Sequence, residues 1–276
     1  MIFIKIIRGF LSAKLKTYDL SLNVVSDIYS SENTLNGAFV GGYVRNTNVS
    51  DSGEGSIVGA GINAGLFGAN KLSYGLIHYY GGVLAGKHSY KLSFTQENDD
   101  DIKADGDYYY LAALGGVAMS NRYHISKFML EPEVGFKFAY ANASKASINA
   151  IQGTESSRLE FDLPNYNGSE YYLNGAISRY FGDKEQYSVN FTPSVWCRKD
   201  TLDLNQCGTG IELGYNASVF DSKIGLNLDV KHSDKTTSGN VKFEVEKSFY
   251  IGDVAFDTSV SDSNDIGVNI NYSKHF

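Results

Sequence analysis

Apolar and polar residues alternate with a period of two over most of the C-terminal half of the chain. Ile224, Leu226, Leu228 and Val230 share one parity; Gly225, Asn227, Asp229 and Lys231 share the other. Val241, Phe243 and Val245 oppose Lys242, Glu244 and Glu246, and Val254, Phe256 and Val260 oppose Ala255, Asp257 and Ser259. The chain ends on Ile266, Val268, Ile270, Tyr272 and Phe276, set against Asp265, Gly267, Asn269, Asn271, Ser273 and His275. Such alternation predicts antiparallel strands with one apolar and one polar face. Upstream, Ile211 to Val219 and Phe128 to Tyr140 keep the same rhythm, and strands also read at 35–47, 55–67, 71–95, 107–120, 169–181 and 187–198. The strand at 107–120 is apolar on both faces. Counted this way there are twelve strands. Short links (GAN, NRYHISK, DKEQ, DS, YIGD) alternate with longer or more polar ones (VSDSGEG, QENDDDIKADG, 143–168, KDTLDLNQ, SDKTTS, SDSND).

A soluble sandwich or lipocalin-like barrel alternates as well. The polar face decides between the two. It carries Glu131, Glu133, Glu212, Asp229 and Glu244 among other charges. If that face were outermost, twelve strands would have to enclose a very large dry core. If the apolar face meets lipid, the charges line a wet lumen. Aromatics also gather near predicted strand ends, at Tyr108 to Tyr110, Tyr123, Tyr171, Tyr172, Tyr180, Phe181, Trp196, Phe249 and Tyr250. Girdles at the two lipid interfaces account for that placement. The expected fold is an all-β transmembrane antiparallel barrel of about twelve strands over residues 35–276.

Composition sharpens this reading in a few places. Gly is frequent (29) and Pro rare (3), as in a strand-rich chain with tight bends. The net charge is −7 and no basic stripe stands out, which argues against nucleic acid. No apolar run is long enough for a spanning helix, a test that β-barrels escape. Residues 1–34 stand apart. Phe3, Ile6, Ile7, Phe10 and Leu11 have helical spacing, with Lys5, Arg8 and Lys16 largely elsewhere. The segment reads first as an amphipathic helix belonging to the mature protein, and second as a degenerate secretory signal.

Little in the chain points to chemistry. His78, His88, His124, His232 and His275 have no metal-ligand spacing, so no metal, cofactor or catalytic residue is predicted. A rim hydrolase would need Asp99, Asp100 or Asp101 with His88 or His232, but a solvated acidic loop is the simpler account of the Asp run. His88 and Ser89 are adjacent and point to opposite faces, which counts against a Ser–His pair. Cys197 and Cys207 bracket one rim loop on adjacent strands. They either form a disulfide or remain two free thiols.

A terminal strand of alternating apolar residues ending in Phe276 resembles the signal read by the outer-membrane barrel assembly machinery, although Lys274 stands where such signals usually have an apolar residue. FMLEPEVGFKFAYANA, GTGIELGYNASVF and IGVNINYSKHF, in that order, are similar to strands of the translocator β-domain of type V secretion autotransporters. The resemblance implies a monomeric barrel in the outer membrane of a Gram-negative bacterium, with lipid and the assembly machinery as partners. It exports or anchors an N-terminal passenger, which is absent or truncated here, and its barrel is threaded by a helical linker, for which residues 1–34 are the matching segment. It also raises self-cleavage of the linker, with Asn33 as the attacking residue. The rival readings are a passive porin-like channel and a rim hydrolase of omptin type.

Overall fold

The computed structural model describes residues 14–50, 54–96, 99–152, 155–182, 185–201, 205–220, 222–234, 236–249, 252–262 and 265–274. Sixteen strands follow one another along the chain: β1 (Lys14–Ser30), β2 (Thr34–Ser50), β3 (Glu54–Leu72), β4 (Gly75–Gln96), β5 (Asp99–Ser120), β6 (Tyr123–Ile125), β7 (Phe128–Ala143), β8 (Ala146–Gln152), β9 (Glu155–Phe161), β10 (Tyr166–Phe181), β11 (Tyr187–Asp200), β12 (Gln206–Val219), β13 (Ser222–Ser233), β14 (Thr237–Phe249), β15 (Gly252–Ser261) and β16 (Ile266–Lys274). They make one sheet. Thirteen of them close into a ring, because β5 pairs with β7, β7 with β10, and β16 with β1. β6, β8 and β9 lie outside the ring.

Neighbours in the ring are antiparallel except at one seam. β1 and β16 run side by side in the same direction, from Tyr18 opposite Ile266 to Ser26 opposite Lys274. An odd number of alternating strands makes this unavoidable, since the first and last must then point the same way. The upper rim carries the start of β1 and the start of β16, together with the 51–53, 97–98 and 201–205 connections. The lower rim carries the end of β16, the tight turns at 31–33 and 73–74, and the 121–127, 182–186 and 220–221 connections.

Two expectations are corrected. Residues 1–34 were expected to form a helical linker, yet Lys14–Ser30 is a wall strand. Tyr18, Leu20, Leu22 and Val24 alternate with Asp19, Ser21 and Asn23, so this segment satisfies the barrel pattern as well as any other. The helix-spaced residues Phe3 to Leu11 lie outside the described residues. Among the described residues the wall therefore reaches back to Lys14, and thirteen strands form the ring where about twelve were expected. The second correction concerns the upper loops. QENDDDIKADG is largely strand, because β4 and β5 continue upward past the barrel wall and the 143–168 connection adds β8 and β9 beside them.

Side chains sort by parity. Leu22, Ile62, Val83, Leu111, Val134, Leu173, Val195, Leu213, Leu228 and Val241 all stand out from the wall and are exposed. A water-facing surface of this kind would be an aggregation site. Facing hydrocarbon, the same surface is solvated, and closing the ring gives each wall strand a partner on both sides. The fold is a transmembrane β-barrel. Its small buried core sits outside the lipid band, in the flap made by the upper parts of β4 and β5 with β8 and β9. There Tyr90, Ile102, Ala104, Ile148 and Ala150 pack together, with Ile57, Leu92 and Tyr108 around them.

Candidate functional site: the barrel lumen

The lumen has two unlike walls. Along β7 and β10–β14 the inward positions are polar or charged. Glu170, Tyr172, Asn174, Arg198, Glu212, Asp229 and Lys242, among others, line a cavity of about 600 Å³. Ion pairs run both between and along the strands of this wall. Arg198 reaches Glu170 at 3.0 Å and Lys137 reaches the same carboxylate at 3.8 Å. Lys242 lies 3.2 Å from Glu244 and 4.0 Å from Asp257. Lys231 pairs with Asp229 at 3.6 Å, and Arg122 with Glu131 at 3.1 Å. The positive and negative groups are interleaved, so the wall is hydrated without a single-sign field.

The wall of β2–β5 is built from aromatics and glycines. Its inward positions include Phe39, Tyr43, Gly59, Gly61, Gly65, Phe67, Tyr80, Leu84, His88, Tyr110 and Leu114. The rings lie flat across glycines of the next strand. A Cβ on Gly61 would sit 2.6 Å from the Tyr43 ring, and one on Gly65 would sit 2.5 Å from the Phe39 ring. The same pairing recurs between Trp196 and Gly208, where a Cβ would be 2.7 Å from the indole. Glycine lets a large ring fold against the wall instead of projecting into the lumen. This explains why 107–120 reads as apolar on both faces: Tyr110, Ala112 and Leu114 line this side while Leu111 and Ala113 face lipid.

The sequence-predicted residues fall as follows. Glu212 and Asp229 line the cavity. Glu131 and Glu133 are inward on β7, Glu133 lying 3.4 Å from the His78 ring of β4 over the intervening β5. Glu244 is inward on β14. Ile266, Val268, Ile270 and Tyr272 lie on the outer face of β16, level with Tyr18, Leu20, Leu22 and Val24. Phe276 lies outside the described residues. Cys197 and Cys207 sit directly opposite each other on β11 and β12 and are joined in a disulfide on the outer face near the upper rim.

The aromatic expectation holds only in part. Tyr109, Tyr123, Tyr171, Phe181 and Phe249 are exposed, whereas Tyr108, Tyr110, Tyr172 and Trp196 turn inward. Strand parity, not nearness to a strand end, decides which aromatics meet lipid.

The residues weighed for hydrolysis do not converge. His88 is inward on β4, its Nδ1 2.6 Å from the Tyr108 hydroxyl. His232 is on β13, several strands away, bonded to Thr237 at 2.8 Å. Asp99 to Asp101 open β5, and their side chains lie outside the described set. Asn33, weighed for self-cleavage, lies in the β1–β2 turn at the lower rim, where its carbonyl accepts the Lys71 amide at 2.7 Å. Among the described residues no group of three or more His, Cys, Asp or Glu is placed to hold a metal. In the flap, the Tyr90 hydroxyl donates to the Ser147 carbonyl at 2.8 Å, and burial pushes its pKa up to about 12.

Sequence reasoning missed β1 and the seam it makes. Across that seam Asn23 donates to Asn271 at 3.1 Å and Ser21 bonds Asn269. Next to it, Arg45 forks onto Asp19 at 2.7 and 2.9 Å. The available signal was the alternation from Tyr18 to Val24.

No protein-family profile matches the chain, and no curated protein matches it. Among solved structures the chain is similar to the β domain of the Bordetella autotransporter BrkA, at 11% sequence identity and a TM-score of 0.53 over 80% of this chain and 92% of that one, and the barrel fold is the one this autotransporter domain has.

Proposed function

We propose that this chain is an outer-membrane translocator barrel of a Gram-negative bacterium that exports or anchors a segment N-terminal to it. The observation that supports this most directly is the direction of β1. It starts at the upper rim, the rim of the flap, whereas β16 ends at the lower rim, which carries the tight turns at 31–33 and 73–74. In outer-membrane barrels short turns face the periplasm and longer connections face outward. In that orientation, whatever precedes residue 14 is held at the cell surface. The polar and charged wall accommodates a hydrated chain in transit. The outer face of β16 provides the apolar stripe that barrel assembly machinery selects, and Phe276 continues its parity in the sequence. The barrel works as a monomer in lipid, and its work is passage and anchorage, not catalysis.

The test is an epitope placed before residue 14 in cells producing the full chain. Antibody or protease should reach it on intact cells, while a tag appended after residue 276 should be reached only after the outer membrane is opened. An N-terminal tag shielded in intact cells would sink the reading. The polar lumen also fits a passive channel. That second reading predicts stable conductance in planar bilayers from the full chain, unchanged when residues 1–13 are deleted.

A further inference from the structure

The seam allows the same chain to close in a second way. Every ring pairing is antiparallel except β1 with β16. Removing β1 leaves β2 and β16 as edges, and these run in opposite directions because β1 is antiparallel to one and parallel to the other. Their levels already agree. Leu20 lies opposite both Val44 and Val268, Ser21 opposite both Tyr43 and Asn269, and Val24 opposite both Val40 and Tyr272. Brought together, the two edges would keep Val40, Val44, Val268 and Tyr272 in lipid and Tyr43 and Asn269 in the lumen. No side chain would have to change face, which is the usual obstacle to a shift in strand pairing.

We infer that β1 is an exchangeable strand. Residues 14–30 first occupy the lumen of a twelve-stranded ring closed by β2 and β16, and then enter the wall between those two edges. This rests on the translocator reading. Removing either member of the parallel pair restores alternation, and β1 is the one on the passenger's side of the chain. Its direction, from upper to lower rim, is that of a segment left in the lumen behind an exported N-terminal part. Its polar side bears Thr17, Asp19, Ser21 and Asn23, and its apolar side Tyr18, Leu20, Leu22 and Val24. The charged wall of the lumen suits the first set and the aromatic wall of β2–β5 the second. The inserted state is favoured because β1 then pairs with β2 along nearly its whole length, hydrogen-bonds to β16 through Ser21 and Asn23, and donates the Thr17 amide to Asp265 just before β16. The parallel seam itself is the weaker kind of pairing, so the edge it occupies is the one most easily left open.

The exchange can be read by disulfide trapping in the full chain with Cys197 and Cys207 replaced by Ser. One variant carries Ser21→Cys and Asn269→Cys, which are neighbours in the thirteen-stranded ring. Another carries Tyr43→Cys and Asn269→Cys, which stand two strands apart there, about 9–10 Å, beyond disulfide reach. Cells are pulse-labelled and oxidant is added at successive times. The expected result is a 43–269 bond in early membrane-associated chains that falls several-fold while the 21–269 bond rises to dominate. A 21–269 bond already maximal at the first membrane-associated time point, with 43–269 never above single-cysteine controls, would overturn the proposal. So would the absence of both bonds. If Tyr43→Cys prevents assembly, Val40→Cys with Tyr272→Cys reports the same closure from the lipid side. Failure of the translocator reading would show separately, as a shielded N-terminal epitope on intact cells whatever the cross-links.

Discussion

Gly61 shows how single residues set the inner surface of this barrel. A methyl group there would meet the Tyr43 ring at 2.6 Å and the Ala85 carbonyl at 2.5 Å, and the carbonyl cannot move without opening the β3–β4 ladder. Gly61→Ala is expected to cost about 1–3 kcal/mol, read as a lower temperature for loss of the compact band on semi-native gels. The Cys197–Cys207 bridge closes a short loop at the upper rim. Replacing both residues with Ser is expected to cost about 2–3 kcal/mol, chiefly by freeing the unfolded chain, and the difference should vanish when both proteins are compared under reductant. The residue scale was only partly legible in the sequence. Charges at Glu212 and Asp229 announced their face by parity. The match between Tyr43 and Gly61, or Phe39 and Gly65, did not, because it depends on the register between strands and one strand's own pattern carries no trace of its partner.

Among the elements, the flap is the most independent. Ile102 is fully buried within it, far from the lipid-facing band. Ile102→Ala should remove about 2–5 kcal/mol from local packing. Amide exchange should quicken in 90–106 and 146–152 while the β12–β14 amides stay protected; acceleration throughout the ring would mean that the flap and barrel are one cooperative unit. Tyr90 adds a pH signature. Its folded pKa of about 12 lies above the ordinary value of 10.0, so the neutral phenol is the form that packs. The flap should hold its full stability below pH 10 and lose it as pH rises from 10 toward 12, and Tyr90→Phe should flatten that loss. The main strands from β2 to β16 were legible because lipid on one side and water on the other enforce strict alternation. β8 and β9 were not, because above the membrane that constraint lapses and ASINAIQ need only cover a small core. β1 followed the rule, but the helical spacing of Phe3 to Leu11 just before it drew the whole of residues 1–34 into one linker.

The whole molecule inverts the usual arrangement, with grease outside and charge within. Leu213→Arg, on the lipid face of β12, should destabilise by about 2–4 kcal/mol near the bilayer midplane. Asn227→Arg, on the adjacent inward face, should leave stability almost unchanged and alter only which ions pass. Refolding into lipid vesicles from denaturant measures both, and equal penalties would contradict the assigned faces. The fold class was readable at this scale because alternation over so many strands leaves few other architectures. The odd strand count was not, since adding one strand changes no neighbour's pattern. That count has a topological result for anyone rearranging the gene. In a barrel with an even count the two ends emerge on one side and a short loop can splice them, so a new start can be opened at any turn. Here the splice would have to run the thickness of the hydrocarbon, about 30 Å or some nine extended residues. Circular permutants that join Lys274 to Lys14 through fewer than about nine residues should therefore fail to assemble, however gently the new opening is placed.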